Sequence, residues 1–166
     1  MPIETITVDG NGNTISGWAA EGGTFTNMQT DDGVTTKLYT PTNNDLRQFS
    51  LTNPASLAGA TINSIRVIAK VATLGAYNAD FQINIRTNST DYNSSTITHN
   101  GTTYTQYSNV WSTNPNTGVA WTIADLNVLQ IGVTKIGADG LRITYMIAEI
   151  DYTVSGISNK QYLGFF

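Results

Sequence analysis

The sequence predicts an all-β fold: a two-sheet antiparallel sandwich of jelly-roll type, closed by one short capping helix. Three observations predict it. Short runs of alternating apolar and polar residues recur along the chain, separated by Gly, Asn, Pro and Asp clusters. Thr, Asn and Ser number 26, 17 and 11 of 166 residues. Branched Thr suits a pleated backbone, whereas Asn, Ser and the 15 Gly suit turns. Only one segment carries helix signals. About eight to ten strands favour a jelly roll over an immunoglobulin-like sandwich, which uses fewer.

The first expected strand is Ile3 to Val8, followed by a turn-rich stretch, Asp9-Gly10-Asn11-Gly12-Asn13. Trp18 marks a short second run, and Thr24 to Gln29 reads as a third. After the turn signal Asp31-Asp32-Gly33, Val34 to Thr40 reads as a strand stopped by Pro41. Arg47 to Leu51 is a short strand ahead of Asn53-Pro54. The strongest pair is Ile62 to Leu74 and Asp80 to Thr87, joined by Gly75-Ala76-Tyr77-Asn78. Ile65, Val67, Ala69 and Val71 share one face, with Arg66 and Lys70 opposite; Phe81, Ile83 and Ile85 alternate with Gln82, Asn84 and Arg86. Asn88 to Asn100 lacks alternation and reads as a loop crossing between sheets, and Tyr104 to Trp111 is an aromatic-rich strand.

Helix signals fall at 122–131. Thr122 is the expected N-cap and Asp125 its capping-box partner, with Trp121 and Leu126 as a hydrophobic staple and Gly132 as the stop. Ile131 to Lys135, the turn Gly137-Ala138-Asp139-Gly140 and a long strand from Leu141 to Val154 complete the pattern. In that last strand the apolar parity changes from Leu141, Ile143, Tyr145 and Ile147 to Ile150, Tyr152 and Val154, which predicts a bulge near Ala148. The sandwich is expected to occupy 1–155 as one domain of the 17.9 kDa chain, with 156–166 as a tail.

Charge and composition exclude several functions. The net charge is −4 and only 12% of residues are charged, with the eight basic residues scattered singly, so nucleic acid is not an expected partner. There is no Cys, hence no disulfide, thiolate metal site or thiol nucleophile. The start MPIETITVDG lacks the basic and apolar regions of a secretory signal, and no run approaches the length of a membrane span. The expectation is a chain made in the cytoplasm with no membrane partner.

Candidate chemistry is sparse. Glu149 and Asp151 lie two apart on one strand and share a face. The stretch resembles part of the E-x-D-x-x-E strand of laminarinase-type β-sandwich glycosidases, in which two carboxylates flank the glycosidic bond. The second Glu is missing: Val154 stands five after Glu149 and Thr153 four after, so the pair reads as an exposed polar face of an end strand. His99 sits in a Thr-His-Asn-Gly turn with neither a Ser elbow nor a carboxylate partner, and reads as a solvated loop residue. Asp9, Asn11 and Asn13 place oxygens as the first half of an EF-hand loop does, but Thr14 replaces its Gly and Ala20 its Glu, so a plain turn is the expectation. Asp31-Asp32 is a weaker calcium candidate. Trp18, Trp111 and Trp121 read as core, with a sugar-stacking platform as the alternative. No catalytic residue, metal or cofactor is assigned. The tail ends in Tyr162, Leu163, Phe165 and Phe166, which a free segment does not normally keep in water, so these four are the expected partner-docking residues.

The run from Asn114 to Val133, closed by Ala148-Glu149-Ile150-Asp151-Tyr152, resembles the C-terminal half of jelly-roll-like proteins common among tailed-bacteriophage virion proteins. Phe49-Ser50-Leu51, Pro54 and Ala58-Gly59-Ala60-Thr61-Ile62 are similar to the same group, so the resemblance covers about Phe49 to Tyr152. It implies a non-enzymatic virion protein. The expected role is a capsid decoration or cement protein that binds the major capsid protein, or another virion protein, as a homo-oligomer with a trimer favoured. The alternative is a glycan-binding module of a phage fibre or cell-surface protein, which predicts an exposed aromatic platform beside Asn or Asp side chains.

Overall fold

A computed structural model of the chain describes residues 2–21, 28–32, 35, 37–137 and 139–154. Among them are eleven strands and one short α-helix: β1 (Ile3–Ile15), β2 (Ala19–Glu21), β3 (Lys37–Thr40), β4 (Leu46–Leu51), β5 (Ala60–Thr73), β6 (Asn78–Thr87), β7 (Thr90–Asn93), β8 (Ile97–Asn100), β9 (Thr105–Trp111), α1 (Ile123–Leu126), β10 (Gln130–Ile136) and β11 (Leu141–Val154). All pairings are antiparallel and form two sheets. In the first, β11 is flanked by β5 on one side and by β3 and the start of β1 on the other, with β2 beyond β3 and β9 beyond β5. In the second, the order runs from the end of β1 through β4, β10 and β6, with β7 and β8 both on the far side of β6.

β1 belongs to both sheets. Ile3 to Thr7 pairs with β11, and from Val8 onward the strand pairs with β4, with register shifts after Val8 and after Asn11. The stretch Asp9 to Asn13 is therefore strand and not a turn. Its glycines permit close passage over the second sheet: a Cβ on Gly12 would lie 2.7 Å from Gln48 Cβ and from Gln130 Oε1.

The core lies between the sheets. The first sheet contributes Ile65, Val67, Ala69 and Val71 of β5, paired with Ile150, Ala148, Met146 and Ile143 of β11. The second contributes Phe49, Ile131, Val133, Phe81, Ile83 and Ile85. The alternation of each strand is thus satisfied on its inner face, as period-2 patterning requires.

Several expectations change. β5 and β6 form as strands but face each other from opposite sheets, because an apolar strand face is buried equally well across a core as beside a neighbour. Asn88 to Asn100 is no crossover. A two-residue turn with Asn88 at φ 49° and Ser89 at φ 65° leads into β7, and both β7 and β8 pair with β6. The bulge in β11 falls at Thr144, not near Ala148, with a second irregularity opposite Asn63 of β5. Inward parity therefore runs through Leu141, Ile143, Met146, Ala148 and Ile150. The helix begins as expected, with both bonds of the Thr122–Asp125 capping box, and with Trp121 and Leu126 buried. It is shorter than 122–131, because Gln130 to Ile136 is drawn into β10 by pairing on both sides. The strand expected over Val34 to Thr40 starts at Lys37, and Met28 and Gln29 lie in a 3-10 turn. Most of the strand expected over Thr24 to Gln29, and the docking residues Tyr162, Leu163, Phe165 and Phe166, lie outside the described residues.

Candidate functional site

The outward face of the first sheet carries a groove. Register places Ile3, Asp151 and Ser64 side by side on β1, β11 and β5, and Thr5, Glu149, Arg66 and Val110 side by side in the next row, ending on β9. Ile3, Ser64, Arg66, Val110, Glu149 and Asp151 line a depression of about 320 Å³. Its ends are apolar and open, Ile3 being 61% and Val110 55% exposed. Its floor is charged. Arg66 Nη1 lies 3.2 Å from Glu149 Oε2, and Asn63 Nδ2 donates to Asp151 Oδ1 at 3.4 Å.

Further along the same face Ile68 and Ile147 are paired and buried although they project outward, which closes the groove on that side. Beyond them Lys70 Nζ donates to both oxygens of Asp31, at 2.7 and 2.8 Å. Arg142 reaches Glu21 at 3.1 Å through Nε, and Lys37 completes that cluster at 3.9 Å. Burial pushes two phenols of this region upward. Glu21 adds to the rise at Tyr104 and Arg142 opposes it, while Asp31 and Glu149 add to the rise at Tyr145. Both phenols therefore keep their protons at neutral pH, and the buried Tyr104 hydroxyl has no hydrogen-bond partner among the described residues.

The outward face of the second sheet carries a hydrogen-bonded amide network. Gln48 and Asn84 are fully buried there, flanking Gly132. Gln48 Nε2 donates to Asn84 Oδ1 at 2.8 Å and also to Asp91; Asn84 Nδ2 donates to Asn93 Oδ1 at 2.9 Å, and Arg86 Nη1 to Asp91 Oδ2 at 2.9 Å. A second depression of about 360 Å³ lies at its margin, lined by Asn13, Arg86, Asn88, Ser89, Val128 and Gln130. Val128 is its one apolar side chain, so a ligand there gains little from leaving water.

Glu149 and Asp151 share an outward face as expected, but β11 is a central strand and not an end strand. His99 is the opposite of a solvated loop residue. It is buried on β8, with Nδ1 3.0 Å from the Tyr107 hydroxyl and Nε2 2.8 Å from the Gly101 carbonyl. Because a carbonyl only accepts, Nε2 carries the proton and Nδ1 accepts from Tyr107. The Nδ1 contact holds β8 against β9, and the Nε2 contact fixes the connection that follows β8.

Trp18 and Trp121 are buried in the core and Trp111 packs against it, with Trp121 Nε1 donating to the Trp111 carbonyl at 3.0 Å. The Trp side chains therefore form no stacking platform. Of the calcium candidates, Asp9 Oδ1 accepts from Ser50 Oγ at 2.6 Å, Asn11 Oδ1 accepts from Arg47 and Asp31 accepts from Lys70, while the backbone N–H of Asn13 donates to Gln130 Oε1. Among the described residues no three His, Cys, Asp or Glu side chains gather as a metal-binding group. The groove residues that the sequence did not single out are Ile3, Ser64, Arg66 and Val110. Their outward parity was a readable signal, but their adjacency depends on strand order.

No protein-family model matches the sequence, and no curated protein matches it. Solved structures of similar fold do. One is the carbohydrate-binding module CBM6cm-2 from Cellvibrio mixtus lichenase 5A, in complex with cellotriose. It has a TM-score of 0.48 at 15% identity, over 92% of this chain and 99% of that one. Another is the CBM22-1 xylan-binding domain of Paenibacillus barcinonensis Xyn10C, with a TM-score of 0.48 at 12% identity, over 91% and 94%. A third is the CBM22-1–GH10 portion of Clostridium thermocellum xylanase 10B, complexed with xylohexaose. Its TM-score is 0.52 at 9% identity, over 93% of this chain and 29% of that one. At such identities the likeness is one of fold: the chain is a jelly-roll β-sandwich.

Proposed function

We propose that the chain is a non-enzymatic glycan-binding module, of the kind carried by phage fibres or cell-surface proteins, and that its site is the groove across β1, β11, β5 and β9. The fold suits many functions, so the groove carries the reading. A sugar ring presents apolar C–H faces and a rim of hydroxyls. The groove offers the complementary pair, with Ile3 and Val110 exposed at its ends and Arg66, Glu149, Asp151 and Ser64 between them. Carboxylates and a guanidinium make the stronger, charge-assisted hydrogen bonds to hydroxyls. No stacked Trp is involved, so aliphatic contact takes the place of the aromatic platform expected from sequence.

The test is a glycan array followed by titration calorimetry with the best oligosaccharide. The expected result is a reproducible class of hits whose binding is lost on Val110→Asp, an exposed position, and kept on Arg86→Ala at the second depression. An array with no reproducible hit overturns the reading, as does binding that survives Val110→Asp and fails in Arg86→Ala. The capsid-decoration role expected from sequence rests on Tyr162, Leu163, Phe165 and Phe166, which lie outside the described residues.

A further inference from the structure

We infer that two copies of this chain pair edge to edge through β9, giving a two-fold dimer in which the first sheet runs continuously across the axis. β9 pairs with β5 over seven consecutive residues without a register shift, and among the described residues no strand pairs with its other side. The Trp111 carbonyl accepts from Trp121 Nε1 and so points away from β5. By the alternation of an antiparallel ladder, the backbone groups of Asn109 and Tyr107 point the same way. Proteins usually guard such an edge with Lys, Pro or a bulge. The sequence of β9, TQYSNVW, has none of these.

The absence of charge also identifies the occupant. In self-pairing, each side chain near the axis meets its own kind or a near neighbour, so any charge there would face a like charge. An axis through Ser108 sets Tyr107 opposite Asn109 and Gln106 opposite Val110, none of them charged, and the pairing ends there because Trp121 already holds the Trp111 carbonyl. Tyr107 and Asn109 then exchange about four backbone hydrogen bonds across the axis. The contact is isologous and closes on itself, giving a dimer in place of the trimer expected from the resemblance. The two Val110 residues would lie about 14 Å apart on one face. If the groove binds glycan as proposed, one polymer could then engage both copies.

Sedimentation of the full chain tests this without reference to any ligand. The expected result is a concentration-dependent monomer–dimer equilibrium. Ser108→Lys and Ser108→Glu, each at an exposed outward position, should each weaken it at least tenfold, while Thr98→Lys on β8 leaves it unchanged. Mixing the Lys and Glu chains should restore the dimer, which unfolding of either could not produce. A chain that stays monomeric at ~1 mM, a trimer, or a dimer indifferent to both Ser108 charges overturns the inference. A monomer that still binds glycan overturns the dimer alone.

Discussion

Glu149→Gln separates binding from stability. The replacement has the same shape and keeps an acceptor oxygen, but removes the charge that faces Arg66 at 3.2 Å. The Arg66 side chain is 49% exposed and that of Glu149 is 24% exposed. Pairs this open to water contribute about 0.2–1 kcal/mol, and the amide retains part of that. Unfolding by urea, followed through the buried tryptophans, should therefore change by less than about 1 kcal/mol. Binding should respond more strongly. A hydrogen bond to a charged acceptor is worth about 1.5–3 kcal/mol, so calorimetric affinity for the best oligosaccharide should fall about 10- to 150-fold. Unchanged affinity would show that Glu149 does not touch the ligand. A loss of stability above about 2 kcal/mol would show that the ion pair is structural, contrary to its exposure.

His99→Ala removes the partner of both the Tyr107 hydroxyl and the Gly101 carbonyl and opens space beside the Phe81–Tyr107 ring contact. It should cost about 3 kcal/mol, read as a lower urea midpoint at unchanged slope. Gly132→Ala would place a Cβ 2.3 Å from the Arg47 carbonyl oxygen. Backbone has to move, so a loss of about 1–3 kcal/mol is expected, and a neutral result would contradict the close approach. Lys135 is fully buried with Nζ donating to the Gly137 carbonyl, and burial holds its pKa below the ordinary lysine value, partly offset by Asp139 and Asp45. Below both the folded and unfolded pKa values each state holds the proton. Between them only the unfolded chain does, so unfolding takes up a proton and stability rises with pH across that window. Lys135→Met should flatten the rise in urea titrations run from neutral to alkaline pH.

The parts of the fold that one strand decides alone were readable from sequence. Alternation located β5, β6 and β11, and the Thr122–Asp125 spacing located the start of α1. What depended on a neighbour was not readable. In Thr90 to Asn93 only Tyr92 packs against the core, because β7 is a short edge strand, so it offered no alternation to detect. The bulge at Thr144 was masked because Ile147 is apolar yet faces outward, against Ile68. His99 looked solvated in a Thr-His-Asn-Gly run, and only the approach of Tyr107 from the other sheet buries it. For the groove, Glu149 and Asp151 were visible as a pair, but Ile3 and Val110 are 107 positions apart in sequence and meet through the order β1-β11-β5-β9. Local periodicity carries no information about that order.

The low charge of the chain gains a more specific meaning from the contrast between its two outward faces. On the second sheet, Gln48, Asn84, Asn93 and Asp91 are linked to one another by hydrogen bonds, and Gln48 and Asn84 are fully buried. Such a surface has few unmet hydrogen bonds to offer a ligand. On the first sheet, the ion pairs Arg66–Glu149, Lys70–Asp31 and Arg142–Glu21 lie in successive rows, with Ile68 and Ile147 sealing the interval after the first. Among the described residues of this face, charged groups lie between exposed apolar side chains where the Arg66–Glu149 row, ending on Val110, adjoins the Asp151–Ser64 row, ending on Ile3. A ligand seated there would cross three strand spacings, about 14 Å, and one row along the strands, about 7 Å, between Ile3 and Val110. The wall at Ile3 belongs to the same strand whose Asn11 holds Arg47 over Phe49 in the second sheet. The groove thus takes its lining from four strands of the first sheet, one of them shared with the second, which makes it a product of strand order and not of any one hairpin.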